Sequence, residues 1–338
     1  MNDNDNHSHL QVIYIMKNFT ILILISLSTF LFSSVLNSQE EENVEEVVVI
    51  SSKIPVPLNE VVGSVVLITQ VDLDARVVSD LGDILENTVG VSVPRSSQYG
   101  RYYNEGISIR GLGGSRVNIF VDGVRVSDAY AGYGRDVVEV DLLKRVEILK
   151  GPTSALYGSD GLAGAVSYVT KDASDFTDLG SHYTARYSQF SDSNQDKYSF
   201  LYAFVGDRID AILQITDKES SEMELHSDAL LEPNPVKSEG KSLLGKLTVD
   251  VNEKLDMTLT LDNQEWSSDI IVNTDIGSTF YPGLSLLSTT SSSEGADEGS
   301  RDRVSLKLNY AAQNNLFDSA ILNLFSQSTD QQQITNKV

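Results

Sequence analysis

The chain contains no cysteine, which excludes disulfides, thiolate metal sites and thiol catalysis. Positive charge is scarce. Against 48 Asp and Glu there are only 25 Lys and Arg, so the net charge is −23 and the pI is near 4.4. A surface this acidic repels phosphate backbones and argues against a nucleic-acid partner. The four histidines stand at positions 7, 9, 182 and 226, and no pair has zinc-ligand spacing. What the chain does have is length, 338 residues with 41% hydrophobic content, enough for two domains.

One apolar run stands out near the start. Phe19 to Leu36 reads FTILILISLSTFLFSSVL and is preceded by Met16-Lys17. A positive residue, an apolar run and small polar residues make a secretory signal peptide over 1–38, with Ser38 as the cleavage edge. An uncleaved membrane anchor is the alternative, since the run is long enough to span. Residues 1–15 read as an upstream extension, with Met16 an alternative start. No cysteine follows the run, so a lipid-anchored lipoprotein is excluded.

Residues 39–60 form an acidic leader. Within it Glu45 to Lys53 reads EEVVVISSK, with Pro55 and Pro57 just beyond. The prolines forbid a helix and keep the segment extended. A short β-prone run on such a leader is suited to adding itself to another protein's sheet edge. It serves equally as the first strand of the next domain.

Residues 61–172 read as a small α+β domain. VVGSVVLIT is a strand, and SDLGDILENTVG is a short helix capped at Ser79 or Asp80 and stopped at Gly90. GISIRG and RVNIFVDGVRV alternate, the latter with an Asp122-Gly123 hairpin turn, and RVEIL is a further strand. Thirteen of the 23 glycines fall between Gly90 and Gly164, which predicts tight turns rather than long helices.

Residues 173–338 have another texture. Leu255, Met257, Leu259 and Leu261 alternate with Asp256, Thr258, Thr260 and Asp262. Val304, Leu306, Leu308 and Tyr310 repeat the pattern, as do Tyr198 to Phe204 and Ile209 to Ile215. Connections at Gly206-Asp207-Arg208 and Val251-Asn252-Glu253 are tight, whereas Lys218 to Gly240 and Ser267 to Ser300 are long and polar. Alternating strands joined by short turns at one end and long loops at the other predict an antiparallel transmembrane β-barrel. A soluble sandwich with one wet face alternates too. Seven strands are expected here, too few to close a large barrel, so the reading is of an incomplete barrel and an N-terminal portion of a longer protein.

The glycine clusters do not build a phosphate site. GLGGSR at 111–116 lacks the last glycine of a dinucleotide fingerprint, GSDGLAG at 158–164 is misspaced, and neither leads into Gly-Lys-Ser/Thr. No Gly-x-Ser-x-Gly elbow is present. Enzymatic function is not expected, nor is an intrinsic cofactor.

Residues 45–172 resemble the N-terminal half of TonB-dependent outer-membrane receptors. The resemblance is carried by EEVVVIS, SDLGDILENTVGVSV, ISIRGLGGSRVNIFVDGVRV and, most specifically, LLKRVEILKGPTSALYGSDGLAGAVSYVTK. Within that family DLLKRVEILKGPTSALYG and AVSYVTKDASDF look most like the haem and haemoglobin branch. The resemblance implies a plug at 61–172 inside a 22-stranded barrel that begins at 173, in the Gram-negative outer membrane. It implies a TonB box at Glu46, Val47, Val48, Val49, Ile50 and Ser51 that pairs in the periplasm with TonB and its inner-membrane energising complex. It also implies plug–barrel ion pairs at Arg110, Glu147 and Lys150. The cargo it implies is haem, free or taken from a haemoprotein, with a ferric siderophore or a cobalamin-like chelate as the alternative; outside the transporter class, the alternative is a non-transporting plug-bearing fragment. Apical loops SSQYGRYYNE and SDAYAGYGRD carry Tyr99, Tyr102, Tyr103, Tyr130 and Tyr133 as ligand contacts. Neither loop has the histidine that haem receptors commonly use.

Overall fold

The computed structural model describes residues 47–48, 50, 56–61, 63–76, 78, 81–93, 107–126, 138–158, 160–191, 194–222, 234–281, 286–312 and 317–338. All lie in one compact unit, Val47–Val338.

The first described strands are two-residue pieces, β1 (Val47–Val48) and β2 (Val56–Pro57), paired antiparallel with Val48 opposite Val56. Strand β3 (Ser64–Thr69) runs directly into helix α1 (Gln70–Arg76). The sequence pattern does not predict α1, because seven residues are too few for a visible apolar period. Its start is nevertheless written in Thr69-x-x-Asp72. The Thr69 N–H and hydroxyl both donate to Asp72 Oδ2 at 2.9 Å, and the Asp72 N–H returns a bond to Thr69 Oγ1. Helix α2 (Leu81–Glu86) lies where expected but ends at Glu86, and a turn carries the chain on to Gly90, with φ +76°. The expected caps Ser79 and Asp80 lie outside the described residues. GISIRG contributes only two paired residues, β5 (Ser108–Ile109), set against β4 (Val91–Ser92).

Strands β6 (Val117–Val121) and β7 (Val124–Arg125) form the expected hairpin. Asp122 and Gly123 both take positive φ, +49° and +79°, as a tight turn between twisted strands requires. Strand β8 (Leu143–Lys150), helix α3 (Ser154–Tyr157) and strand β9 (Gly164–Thr170) complete the plug. Its sheet order is β3-β8-β9-β6-β7, with β6 and β9 parallel and the other pairs antiparallel. Every residue of β6 is buried, so its run VNIFV reads as continuous rather than alternating. The core gathers Ile84, Leu85, Ile109, Val117, Val146, Ile148, Val166 and Tyr168.

Two glycines between β8 and β9 are required by close approach. A Cβ on Gly161 would lie 2.2 Å from Thr153 Oγ1, and one on Gly164 2.2 Å from the Leu149 carbonyl oxygen. At these two points the glycine-rich connection packs tightly against its own chain.

Beyond the plug, seven strands pair in sequence order: β10 (Gly180–Phe190), β11 (Gln195–Val205), β12 (Ile209–Ser221), β13 (Val236–Asn252), β14 (Leu255–Ile271), β17 (Ser293–Ala311) and β18 (Ser319–Lys337). A hairpin, β15 (Gly277–Tyr281) and β16 (Leu286–Thr290), stands between β14 and β17. The sheet is open, with β10 and β18 at its edges. The regions read as long loops are strand at both ends, and the second also holds β15 and β16. β12 runs to Ser221 and β13 starts at Val236, while β14 runs to Ile271 and β17 starts at Ser293. A ladder needs only backbone groups, so small and polar residues such as GADEGSRD extend it without an apolar face.

Register puts Leu247, Leu259, Leu306 and Leu324 side by side on one face. That face also exposes Tyr183, Tyr187, Tyr198, Phe200, Tyr202, Ile209, Leu213 and Val304. On β14 its apolar stretch, Leu255 to Leu261, spans about 20 Å at a strand's rise, near the height of a lipid-facing band. Asn263, Glu265 and Asp269 continue the same face in polar form. The opposite face carries the sheet's buried residues, on β11 to β14 and β17, and stays open on the edge strands β10 and β18.

Candidate functional site: the plug–wall seam and the clamped leader

The plug meets the wall through charge. Glu139, just before β8, is 4% exposed and lies between two lysines of the wall, Lys218 at 2.6 Å and Lys197 at 3.5 Å. Its N–H donates to Gln264 Oε1 at 3.0 Å. Burial alone would push this carboxyl up, but Lys218 and Lys197 outweigh it and hold it down at about 2. Asp141 takes Lys197 at 3.2 Å, and its carbonyl accepts from Gln214 at 2.8 Å.

A second cluster closes the end of β9. Asp172 takes Lys144 of the plug and Lys246 of β13, the latter at 2.8 Å. Burial opposes the charge on Asp172, yet these two cations hold its carboxyl well below the usual range. Lys246 also donates to the Thr170 carbonyl at 3.1 Å. A third cluster lies on β14 and β17. Asp262 is shared by Arg301 at 3.2 Å and Arg303 at 2.9 Å, and all three side chains are fully buried. Arg303 reaches on to the plug, donating to the Val121 carbonyl and to Asp122 Oδ2.

In this way lysines and arginines, rare in the chain as a whole, collect on the wall's inner face and meet carboxylates of the plug. Alternation does the positioning. Lys197, Lys246, Asp262, Arg301 and Arg303 each sit on the face opposite the apolar one. A buried pair of this kind is costly to break one-sidedly, about 3–5 kcal/mol, because the surviving charge stays desolvated. The seam is specific without being irreversible.

The expected ion-pair residues lie elsewhere. Among the described residues Arg110 meets no wall carboxylate. It is exposed on a turn with φ +53°, and its N–H donates to the Gly90 carbonyl at 2.7 Å. Lys150 donates to the Val89 carbonyl at 2.8 Å, within the plug. Glu147 is fully buried and points into the plug's own interior, where Arg145 takes one oxygen at 2.8 Å. Strand alternation is the reason, since β8 is covered on both sides and position 147 faces inward. Sequence reasoning missed Glu139, Asp141, Asp122 and Asp172 as seam carboxylates. The available signal was their place at strand ends and turns, opposite lysines and arginines on the polar faces of the wall strands.

The other Glu147 oxygen accepts the N–H of Ile50 at 2.8 Å. The Ile50 carbonyl accepts the Tyr157 hydroxyl at 2.7 Å. Ile50 is 2% exposed and packs with Phe120, Leu149 and Ala165. Of the expected box residues, Val47 and Val48 lie in β1 and Ile50 is buried here. Glu46, Val49 and Ser51 fall outside the described residues, as do Tyr99, Tyr102, Tyr103, Tyr130, Tyr133 and His226.

No cluster of His, Cys, Asp or Glu able to hold a metal is found among the described residues. Gly240-Lys241-Ser242 has the composition of a phosphate-loop end but lies inside β13. Without a strand-to-helix turn, its N–H groups belong to the ladder and form no cradle.

Residues 57–165 match the family described as TonB-dependent Receptor Plug Domain. The Vitamin B12 transporter BtuB of Vibrio vulnificus is 35% identical over 137 residues, which are 40% of this chain and 22% of that protein. BauA, the ferric preacinetobactin receptor from Acinetobacter baumannii, superposes with a TM-score of 0.55 at 13% identity, over 86% of this chain and 50% of that one. FpvA of P. aeruginosa, solved bound to heterologous pyoverdines, gives 0.55 at 11% identity over 86% of this chain and 45% of that one. At such identities the superpositions speak for fold alone. The chain spans no more than half of the solved proteins and under a quarter of the curated relative. Residues 57–165 are thus similar to a TonB-dependent receptor plug domain, and the antiparallel strands that follow share the fold of those solved proteins.

Proposed function

We propose that the chain serves as a TonB-dependent receptor of the Gram-negative outer membrane, taking up a metal chelate by energy-coupled transport without covalent chemistry. The observation that carries this reading is the seating of the plug, by buried charge pairs, on the inner face of a strand sheet whose other face is apolar. Such a plug obstructs passive flow, so passage requires that it be remodelled. The leader at 39–60, with its box at 46–51, is the handle for TonB and its inner-membrane energising complex.

For the cargo, the likeness to a vitamin B12 transporter over 137 residues favours a cobalamin-type chelate. The ferric preacinetobactin receptor shares the fold, which is compatible with a ferric siderophore as well. Haem, the ligand favoured by the sequence resemblance, draws no support from these likenesses. The five apical tyrosines remain the proposed contacts for a flat or macrocyclic ligand.

The test is uptake by cells expressing the gene, with and without TonB, of radiolabelled cyanocobalamin, a ferric siderophore and haemin. Accumulation of one of them that disappears without TonB supports the reading. Accumulation of none, or accumulation indifferent to TonB, overturns it.

A further inference from the structure

Just past the seam, toward the long connections, the wall changes chemistry. Pairing sets Lys218, Gly240, Trp266, Gly299 and Gln331 side by side, and then Ser220, Ser238, Ser268, Asp297 and Gln333. Alternation puts both rows on the face that carries Gln264 and Arg303, the one that meets the plug. The two glycines let their large neighbours lie along the wall. A Cβ on Gly240 would stand 2.8 Å from Lys218 Cε, and one on Gly299 would collide with the Trp266 indole nitrogen. On β18 the same face carries Gln327, Thr329, Gln331 and Gln333, all half-buried, a stripe of neutral donors and acceptors about 20 Å long at a strand's rise. Gln327 Oε1 and Thr329 Oγ1 are buried and find no partner among the described residues.

Charge is scarce on this stretch. From these rows to the ends of the strands, the only cations on this face among the described residues are Lys218 and Lys337, and Glu139 takes the first at 2.6 Å and Asp275 the second at 2.7 Å. Asp297 adds a buried carboxylate, which accepts from Gln333 at 3.4 Å. A polyanionic cargo would lose its water here without meeting an uncommitted cation on this wall, in a chain of net charge −23. An uncharged cargo rimmed with amides or hydroxyls would find partners, since a glutamine amide both donates and accepts. We propose that this stretch of wall is the contact surface for an uncharged, amide- or hydroxyl-bearing cargo and discriminates against polyanionic chelates, the carboxylates of haem included. Gln331 and Gln333 bond the rim of such a cargo, and the Trp266 indole supplies apolar area for it to pack against. The inference rests on the receptor reading and narrows its cargo by charge.

The probes are cyanocobalamin, uncharged overall and rimmed with amides, and its tricarboxylic acid, in which three of those amides are hydrolysed to carboxylates. Ring and size are the same, so the pair differs in charge. Equilibrium binding is measured on outer membranes of cells expressing the gene. The amide form is expected to bind at least about tenfold more tightly. Gln331→Lys combined with Gln333→Lys should shift that ratio about tenfold toward the acid, which a merely structural loss would not do. If that variant does not fold, the parent's ratio alone decides. Trp266→Ala should weaken both forms alike. Equal or tighter binding of the acid by the parent overturns the proposal, as does a ratio untouched by the two lysines. If neither corrinoid binds, the comparison passes to an uncharged ferric trihydroxamate and an anionic ferric tris-catecholate, where preference for the anion, or binding of neither, overturns it. Binding of the uncharged probe with uptake that persists without TonB leaves the surface standing and sinks the receptor reading.

Discussion

Arg303 of β17 and Asp122 of the plug meet at 2.9 Å, joining residues 181 positions apart. The same Asp122 carboxylate accepts the N–H and hydroxyl of Thr170 at 2.9 and 2.8 Å. One wall arginine thus fixes a turn and a strand end of the plug together. Arg303→Ala should cost about 3–5 kcal/mol, since Asp122 and Asp262 are both left short of a cation in a buried seam. Urea unfolding of the detergent-solubilised chain measures it. A double-mutant cycle with Asp122→Asn should give a coupling of at least about 1 kcal/mol. Additive effects would mean that the pair does no holding.

Acid should loosen the seam. The Glu139 carboxyl is held at about 2 in the folded protein, below its ordinary value of 4.5. A depressed folded value means that its stabilisation is fully present above about 4.5 and is lost as pH falls toward about 2. Protection of the β8 amides, taken relative to intrinsic exchange at each pH, should therefore fall through that window. In Glu139→Gln the dependence should be shallower and the exchange at pH 7 already faster. An identical pH profile in the variant would refute the assignment.

Gly164→Ala should destabilise the plug by about 1–3 kcal/mol, as overpacking does, because its Cβ meets the backbone oxygen of Leu149 at 2.2 Å. Gly123→Ala has open space and suffers only its positive φ. Thermal melts of the two variants should rank them in that order.

The apolar face of the sheet should be intolerant of charge only within its band. Leu259→Arg, opposite Leu306 and Leu247, should impair insertion into lipid vesicles by about 2–4 kcal/mol. Glu265→Arg, three alternating positions further along the same face, should insert like the parent. Equal behaviour of the two would place the lipid boundary elsewhere.

Much of the fold is legible in the sequence because it rests on short-range rules. Alternation from Leu255 to Leu261 and from Val304 to Tyr310 fixes both strands and the face they turn outward. Asp122-Gly123 fixes a turn that only positive φ allows. Helix α1 escaped because seven residues carry a capping box and little else. The bounds of the loops at 218–240 and 267–300 are narrower than the sequence suggests, because polar residues pair in a ladder as readily as apolar ones.

The site divides in the same way. The sequence by itself determined that residues 45–51 are β-prone, that a glycine-rich domain precedes amphipathic strands, and that thiol chemistry is absent. Only the tertiary structure decided which charges meet. Glu147 and Glu139 are both carboxylates beside apolar runs, and no local rule separates them. Packing on both faces of β8 turns Glu147 inward to Arg145 and Ile50, while Glu139 stands at the rim between Lys197 and Lys218. The partners are 58 and 79 residues away, a distance over which pairing follows from the register of whole strands and not from spacing along the chain.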